Sequence, residues 1–399
     1  MKSIFYSLFF CLAFVSCQPK QESMNALIKD RLNRAEEHYL SMAKALMEQP
    51  GQLPRSFNAE GRFITSNSTW WCSGFFPGAL WYLYENSKSD VVLNHARHFT
   101  ALLEKEQYNK GTHDLGFMLY CSYGNGYRLT GAPSDYRSVL LNGAESLASR
   151  FNPVVGCIRS WDFGAWKFPV IIDNMMNLEY LFWASKVSGD PKFRNIAISH
   201  ADKTIKNHYR PDYGTYHVVS YDPETGLVDL KQTHQGFSDE STWSRGQAWG
   251  LYGYVVMYRE TKDKRYLEWA KHIADFMLNH PNMPADKIPY WDFNAPTIPN
   301  TLRDASAGAI TASALVELSG FVEPPLSKTY LDAAETQIRT LSSPEYFAEK
   351  GTNGNFILKH SVGAYPGKSE VDVPLTYADY YYVEALMRFK SALKTSKGF

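Results

Sequence analysis

The chain has 399 residues, with 41 Lys and Arg against 41 Asp and Glu, so its formal net charge is zero. That balance leaves no electrostatic footprint for nucleic acid, and the length suits one large domain or two ordinary ones. Aromatic residues make up 15%, with 10 Trp and 26 Tyr; most belong in a large core, and the surplus suits a cleft whose walls stack on sugar rings.

The first element is a targeting segment. Lys2 precedes an apolar run from Ile4 to Val15, followed by Ser16, Cys17 and a polar stretch from Gln18 to Ser23. The run is too short to span a bilayer as a permanent helix. A small residue directly before Cys resembles a bacterial lipoprotein signal, with Cys17 lipidated. Phe14 departs from the usual Leu, and plain secretion is the alternative. The expected organisation is a signal peptide over residues 1–17, a short linker over 18–23 and one domain over 24–399. The expected location is the periplasm, or the outer membrane through a lipid on Cys17, in a Gram-negative bacterium. Cys72, Cys121 and Cys157 remain beside Cys11 and Cys17, too sparse a set for a disulfide framework.

Helical periodicity then dominates. A first helix covers 24–49, followed by helices near 73–86, 90–106, 114–130, 135–150, 173–188 and 191–207. Five more fall near 243–260, 264–279, 306–320, 327–342 and 376–394. They alternate between two kinds. One is amphipathic, opening on a capping Asp or Ser, then an aromatic, then small residues: Asp135-Tyr136, Asp190-Pro-Lys-Phe193, Asp263-Lys-Arg-Tyr266 and Ser327-Lys-Thr-Tyr330. The three Asp openings are 55 and 73 residues apart, a weak repeat with variable insertions. The other kind is apolar all round and follows Gly- and Trp-rich loops. A striped helix belongs outside and an apolar one inside, so six inner and six outer helices predict an all-α (α/α)6 barrel. One good strand, Tyr216–Ser220, is expected in a hairpin with Leu227–Lys231.

The inner helices begin at Cys72-Ser-Gly-Phe-Phe, His113-Asp-Leu-Gly-Phe, Asp173-Asn-Met-Met, Trp243-Ser-Arg-Gly-Gln-Ala-Trp, Arg303-Asp-Ala-Ser and Thr376-Tyr-Ala-Asp. In a barrel these starts converge at one mouth. Asp173 follows the apolar run Phe168-Pro-Val-Ile-Ile172. A carboxyl desolvated there keeps its proton near neutral pH and can donate it, with Asn174 and Asn177 as partners; the plainer alternative is an Asp that caps a helix. His113 and Asp114 bring a second carboxylate. His217, Gln235, Arg245 and Trp249, with Trp70 and Trp71 from the first repeat, supply donors and indole faces. A guanidinium beside indoles suits an acidic sugar, although Arg245 could instead tie down a helix end and Trp249 could be core. No metal or cofactor site is expected: His95 and His98 lie on an outer helix, and Gly124-Asn-Gly126 does not fit a dinucleotide fingerprint. Arg303-Asp304-Ala-Ser306 reads equally as cap or pocket.

Four strings carry a resemblance: His113-Asp-Leu-Gly-Phe, Asp173-Asn-Met-Met-Asn, Ser241-Thr-Trp-Ser-Arg-Gly-Gln-Ala-Trp-Gly250 and Tyr377-Ala-Asp-Tyr-Tyr. From about Asn67 to Met387 the chain resembles the unsaturated glucuronyl hydrolases of glycoside hydrolase family 88. The resemblance implies an (α/α)6 barrel that removes the 4,5-unsaturated uronic acid left by polysaccharide lyases at a non-reducing end. It implies Asp173 as proton donor and Asp114 as second carboxylate. Substrate contacts are implied for His217, Gln235, Arg245 and Trp249, and stacking for Trp70 or Trp71. The expected partners are unsaturated oligosaccharides of glycosaminoglycan type. The rivals are an unsaturated rhamnogalacturonyl hydrolase and a non-catalytic glycan-binding lipoprotein.

Overall fold

The structure is a computed structural model that describes residues 22–395. The targeting segment, with Cys11 and Cys17, lies outside the described residues. Helices come in outer–inner pairs. Outer α1 (Met24–Met47) opens on Ser23, whose hydroxyl accepts the Ala26 N–H, and leads to inner α2 (Phe75–Ser87). Outer α3 (Asp90–Ala101) leads to an inner π-helical segment, Gly116–Gly124, that runs on into α4 (Asn125–Leu129). Outer α5 (Ser134–Ala148) leads to a 3-10 turn, Ile172–Asn177, that opens inner α6 (Leu178–Ser188). Outer α7 (Pro191–His208) and α9 (Lys264–Asn279) flank inner α8 (Ser244–Thr261). Inner α10 (Ala305–Ser319), outer α11 (Leu326–Leu341) and inner α12 (Thr376–Thr395) follow.

The inner segments touch in sequence, and α12 closes on α2, so the ring is an (α/α)6 barrel. Burial follows the hydropathy pattern. Every residue of α8 from Ser244 to Met257 is buried, whereas α9 buries a stripe that includes Tyr266, Ala270 and Ile273. Asp190 and Asp263 do cap α7 and α9. Asp135 and Ser327 do not cap: α5 and α11 begin one residue earlier, after Pro133 and Pro325, and both side chains sit in the first turn. A proline stands immediately before each of these two helices. The helix expected over 114–130 is instead mostly π-helical. Gly116 at its start sits so close to Asn177 that a Cβ there would lie 2.5 Å from the Asn177 Oδ1, and its N–H donates to that oxygen at 2.9 Å.

The expected hairpin forms as β6 and β7, but short strands are more numerous than periodicity indicated. Among the described residues β1 (Leu53–Phe57) pairs with β2 (Phe63–Ser66), and β3 (Phe151–Asn152) with β4 (Cys157–Ile158). β5 (Pro169–Ile171) adds to β6 (Val218–Tyr221) and β7 (Val228–Gln232), and β8 (Ser361–Ala364) pairs with β9 (Ser369–Val373). Strands of two to five residues are too short to show alternation. All are antiparallel ribbons in the loops that precede inner helices or return from outer ones, and they shape the mouth.

Away from the mouth the inner helices are tied by partly buried charge. Arg259 of α8 bonds Glu179 of α6 and Glu317 of α10, and Arg388 of α12 bonds Glu317. Glu384 accepts from Tyr82, Tyr252 and Ser313, which come from three different inner helices. Breaking such a cluster from one side leaves a partly buried charge without its partner. The Tyr377-Ala-Asp-Tyr-Tyr string also proves architectural. The Asp379 carboxylate, pushed up to about 7 by burial, accepts the Ile357 and Leu358 N–H groups at 2.9 and 2.8 Å and the Tyr39 hydroxyl.

Where α2 meets the π-helical segment there is no room for a side chain. A Cβ on Gly74 would lie 2.2 Å from the carbonyl oxygens of both Phe117 and Met118. Backbone atoms cannot swing aside, so Gly74→Ala should destabilise the protein by about 2–3 kcal/mol. Chemical denaturation of the variant checks this, with the midpoint falling below wild type.

Candidate active site

The site is an open cleft of about 1020 Å³ at the mouth. Strand register places its centre. Ile171 of β5 pairs with Val218 of β6, and the Ile172 N–H donates to the His217 carbonyl at 3.1 Å. Asp173 therefore emerges beside His217. Ser160 fixes the strand from the other side: its hydroxyl accepts the Ile171 N–H, and its carbonyl accepts the His113 N–H. Three segments far apart in sequence are thus held by main-chain bonds.

Asp173 caps nothing. It is 7% exposed, its Oδ2 is buried without a hydrogen bond, and the 3-10 turn has no side-chain cap. Burial drives its pKa up to about 7; Arg245 opposes this, Asp114 adds to it, and the Trp249 indole lowers it slightly. The apolar run before it forms β5 and supplies that burial.

His217 has a fixed tautomer. Its Nδ1 accepts the N–H groups of His234 and Gln235 at 3.0 and 3.1 Å, so the remaining proton sits on Nε2. Nε2 lies 3.8 Å from Asp173 Oδ2, too far for a hydrogen bond, and neither atom has another partner. Burial, then the neighbouring His234 and Arg245, hold His217 well below the usual histidine range, hence neutral. The indole N–H groups of Trp70 and Trp161 and the Arg245 Nε are also buried without partners. Unpartnered buried atoms occur away from the cleft too, at His38, His200 and Tyr209 among others. A set rich in orphan donors suits a ligand rich in oxygen acceptors.

The second carboxylate is well held. Asp114 Oδ2 accepts the Thr112 hydroxyl at 2.5 Å, and Oδ1 lies 3.2 Å from His113 Nε2. Trp70, Trp71, His113, Asp114, Asp173, Gln235 and Arg245 all line the cleft. His217 and Trp249 stand behind Asp173, and Trp249 packs on Phe117 and Tyr381. Trp71 packs on Tyr377 and Phe117, while the Arg55 guanidinium lies 3.7 Å over the Trp70 ring. Asp304 is a helix cap that accepts from Ser306 at the start of α10, and Lys359 and His360 bond Pro344 and Asp372.

Residue reasoning passed over two members of one wall, Trp161 and Phe163. Trp161 and Phe163 are stacked, 4.9 Å apart at 15°, and His234 leans on both; all three line the cleft. The signal was the aromatic, Gly-containing loop just upstream of Asp173. Thr112 was also passed over, having no signal beyond adjacency to His113.

Arg245 is tied to the protein. One terminal nitrogen bonds Asp304 at 3.2 Å and the Val362 carbonyl, and the other bonds the Gly363 carbonyl at 2.6 Å. It anchors the β8–β9 hairpin to the starts of α8 and α10. Arg245→Ala would leave Asp304 charged and buried, at a cost of about 3–5 kcal/mol. The expected outcome is a large loss of thermal stability accompanying any rise in the Michaelis constant, read by melting and steady-state kinetics on one preparation.

Two carboxyls, one with its pKa raised to about 7, lining an aromatic cleft at the mouth of an (α/α)6 barrel mark a glycoside hydrolase. Residues 42–390 match the model of Glycosyl Hydrolase Family 88, and the chain belongs to that family. An unsaturated glucuronyl hydrolase of Formosa agariphila is 48% identical over 320 residues, covering 80% of this chain and 79% of the relative. An unsaturated chondroitin disaccharide hydrolase of Streptococcus pneumoniae is 35% identical over 331 residues, 81% of this chain and 82% of the relative. A solved structure of an unsaturated glucuronyl hydrolase specific for heparin superposes with a TM-score of 0.90 at 52% identity, covering 93% of this chain and 98% of that one.

The raised pKa of Asp173 has a consequence for stability. Below about pH 4 the carboxyl is protonated both folded and unfolded. Between about 4 and 7 the unfolded group ionises while the folded one keeps its proton, so stability falls across that window and is flat above it. Asp173→Asn removes the penalty. The variant should be more stable than wild type at pH 8, by on the order of 2–4 kcal/mol, and show no such gain at pH 4. Paired denaturation curves at the two pH values test it.

Proposed function

We propose that this glycosidase removes 4,5-unsaturated uronic acid from the non-reducing end of lyase-generated glycosaminoglycan oligosaccharides, by hydrating the C4–C5 double bond. One observation carries the mechanism: Asp173 is buried, unbonded at Oδ2 and held at about 7 beside a second carboxylate. An ordinary glycosidase protonates the leaving oxygen, and a nucleophile attacks the sugar's anomeric carbon. The unsaturated sugar offers an electron-rich enol ether, and its C4 is the cheaper site to protonate. An acid poised near working pH suits that step.

Protonation of C4 by Asp173 produces an oxocarbenium ion at C5. Asp114 stabilises that charge, and water adds at C5 with its proton returning to Asp173. The resulting hemiketal opens and releases the remaining sugar. Neutral His217 and the indole N–H groups supply donors for the sugar's oxygens, Trp70 or Trp71 and the Trp161–Phe163 wall stack on the rings, and Gln235 adds a polar contact. The names of the relatives support glycosaminoglycan fragments over pectin fragments as substrate. The N-terminal segment supports export, with Cys17 as the lipid anchor and the periplasmic face as the place of action.

Turnover in deuterated water should place deuterium at C4, and turnover in heavy-oxygen water should put the label at C5. Asp173→Asn should lose at least about 10²-fold in kcat. Heavy oxygen on the anomeric carbon would make Asp173 an ordinary glycosidase acid. Absence of turnover on unsaturated chondroitin, hyaluronan, heparin and rhamnogalacturonan disaccharides alike would leave only a glycan-binding role.

A further inference from the structure

Deepening that reading and resting on it for the ligand, we infer that a cationic pocket beside the cleft is a distal subsite. Built from Lys110, Arg150 and Arg159, it takes a sulfate or carboxylate of an oligosaccharide that extends past the leaving sugar. The pocket is an open depression of about 880 Å³, and Asp162 is the one acid in its lining. Three cations against one carboxylate leave an excess of two positive charges. The cleft itself offers less: its lining holds one arginine, Arg245, whose terminal nitrogens are bonded to protein groups.

Arg150 is what makes the pocket a built site. Its side chain is only 6% exposed. Nε donates to the Arg159 carbonyl at 2.9 Å, and Nη1 donates to the Lys110 carbonyl and to Asp162 Oδ2 at 3.0 Å. Those bonds clamp together the two segments that carry the other cations. Nη2 is buried and has no partner. A guanidinium N–H shut away from water without an acceptor is costly, and an anionic oxygen in the pocket would satisfy it. Arg159 spends only its Nε, on the Trp161 carbonyl and Asp162 Oδ1, each at 3.1 Å. Its planar fork is therefore placed to pair with an oxyanion, and the exposed Lys110 amine adds a point charge.

The position of the pocket ties it to the reaction. Lys110 is followed directly by Gly111 and Thr112, and Arg159 by Ser160 and Trp161; all four followers line the cleft. The two segments form a partition with the cleft on one side and the pocket on the other. Asp162 stands in the chain between Trp161 and Phe163, the stacked pair of the cleft wall, yet it lines the pocket. A sugar stacked on that wall brings the next residue of its chain to the rim of the pocket. Glycosaminoglycan chains carry a carboxylate or a sulfate on most residues, so their charge matches the excess found there.

Arg150 is part of the fold, so the test leaves it in place and uses Lys110→Gln/Arg159→Gln. Lys264→Gln/Lys394→Gln, at the start of α9 and the end of α12 and so away from the mouth, controls for the loss of two charges. The substrates are unsaturated chondroitin tetrasaccharides, unsulfated and 6-sulfated, with the unsulfated disaccharide as reference. The ratio of tetrasaccharide to disaccharide KM should rise at least about fivefold in Lys110→Gln/Arg159→Gln and hold steady in the control. A rise with the sulfated tetrasaccharide alone identifies sulfate as the ligand; a rise with the unsulfated one identifies the uronate carboxylate. An unchanged ratio with both, or an equal rise in the control variant, overturns the inference. Failure of wild type on the disaccharide would strike the functional reading instead. In that case, or if tetrasaccharides are not turned over, calorimetry with saturated chondroitin tetrasaccharides reads the pocket. Weaker binding by Lys110→Gln/Arg159→Gln than by the control supports it, and equal affinities overturn it.

Discussion

The desolvation of the Asp173 carboxyl is the constraint around which the mouth of this barrel is built. Water would hold that group ionised, and removing water raises its pKa to about 7. Everything that removes water is structural: β5 beneath it, Trp249 behind it and His217 beside it. The same burial that makes Asp173 a competent acid makes it a burden on folding, a common arrangement at reacting groups. The charge ties deep in the barrel, through Arg259, Arg388 and Glu384, hold the ring that carries this burden.

Two neutral or nearly neutral histidines flank the carboxyls, and they are set in opposite ways. His217 takes two backbone N–H bonds on Nδ1 and presents a donor at Nε2. His113 gives its Nδ1 proton to Asn174 and turns Nε2 toward Asp114. Identical side chains thereby present a donor at Nε2 beside one carboxyl and an Nε2 without a proton beside the other. The difference arises wholly from which backbone or amide group meets Nδ1.

Much of this was legible in the chain. Alternation of striped and uniformly apolar helices specifies an inner and an outer ring because hydrophobic faces must be covered. The inner-helix starts and the loops just before them then place Asp114, Asp173, Gln235, Arg245 and the two tryptophans at one mouth, where the structure has them. Less legible was the role of a residue whose chemistry serves more than one purpose. Arg245 carries the right charge for an acidic sugar, yet its terminal nitrogens go to Asp304, Val362 and Gly363. Asp379 sits in a family-like string, yet it holds the backbone at Ile357 and Leu358.

By itself the sequence determined the barrel, the order of its helices and the convergence of its polar helix starts, since these follow from periodicity along the chain. The tertiary structure alone decided that Asp173 is desolvated and caps nothing, which tautomer His217 adopts, and that Trp161 and Phe163 complete the cleft. Those outcomes depend on contacts between segments tens of residues apart, such as Ile172 with His217 and Gly116 with Asn177. Short ribbons and single hydrogen bonds set them, and neither leaves a periodic trace in the sequence.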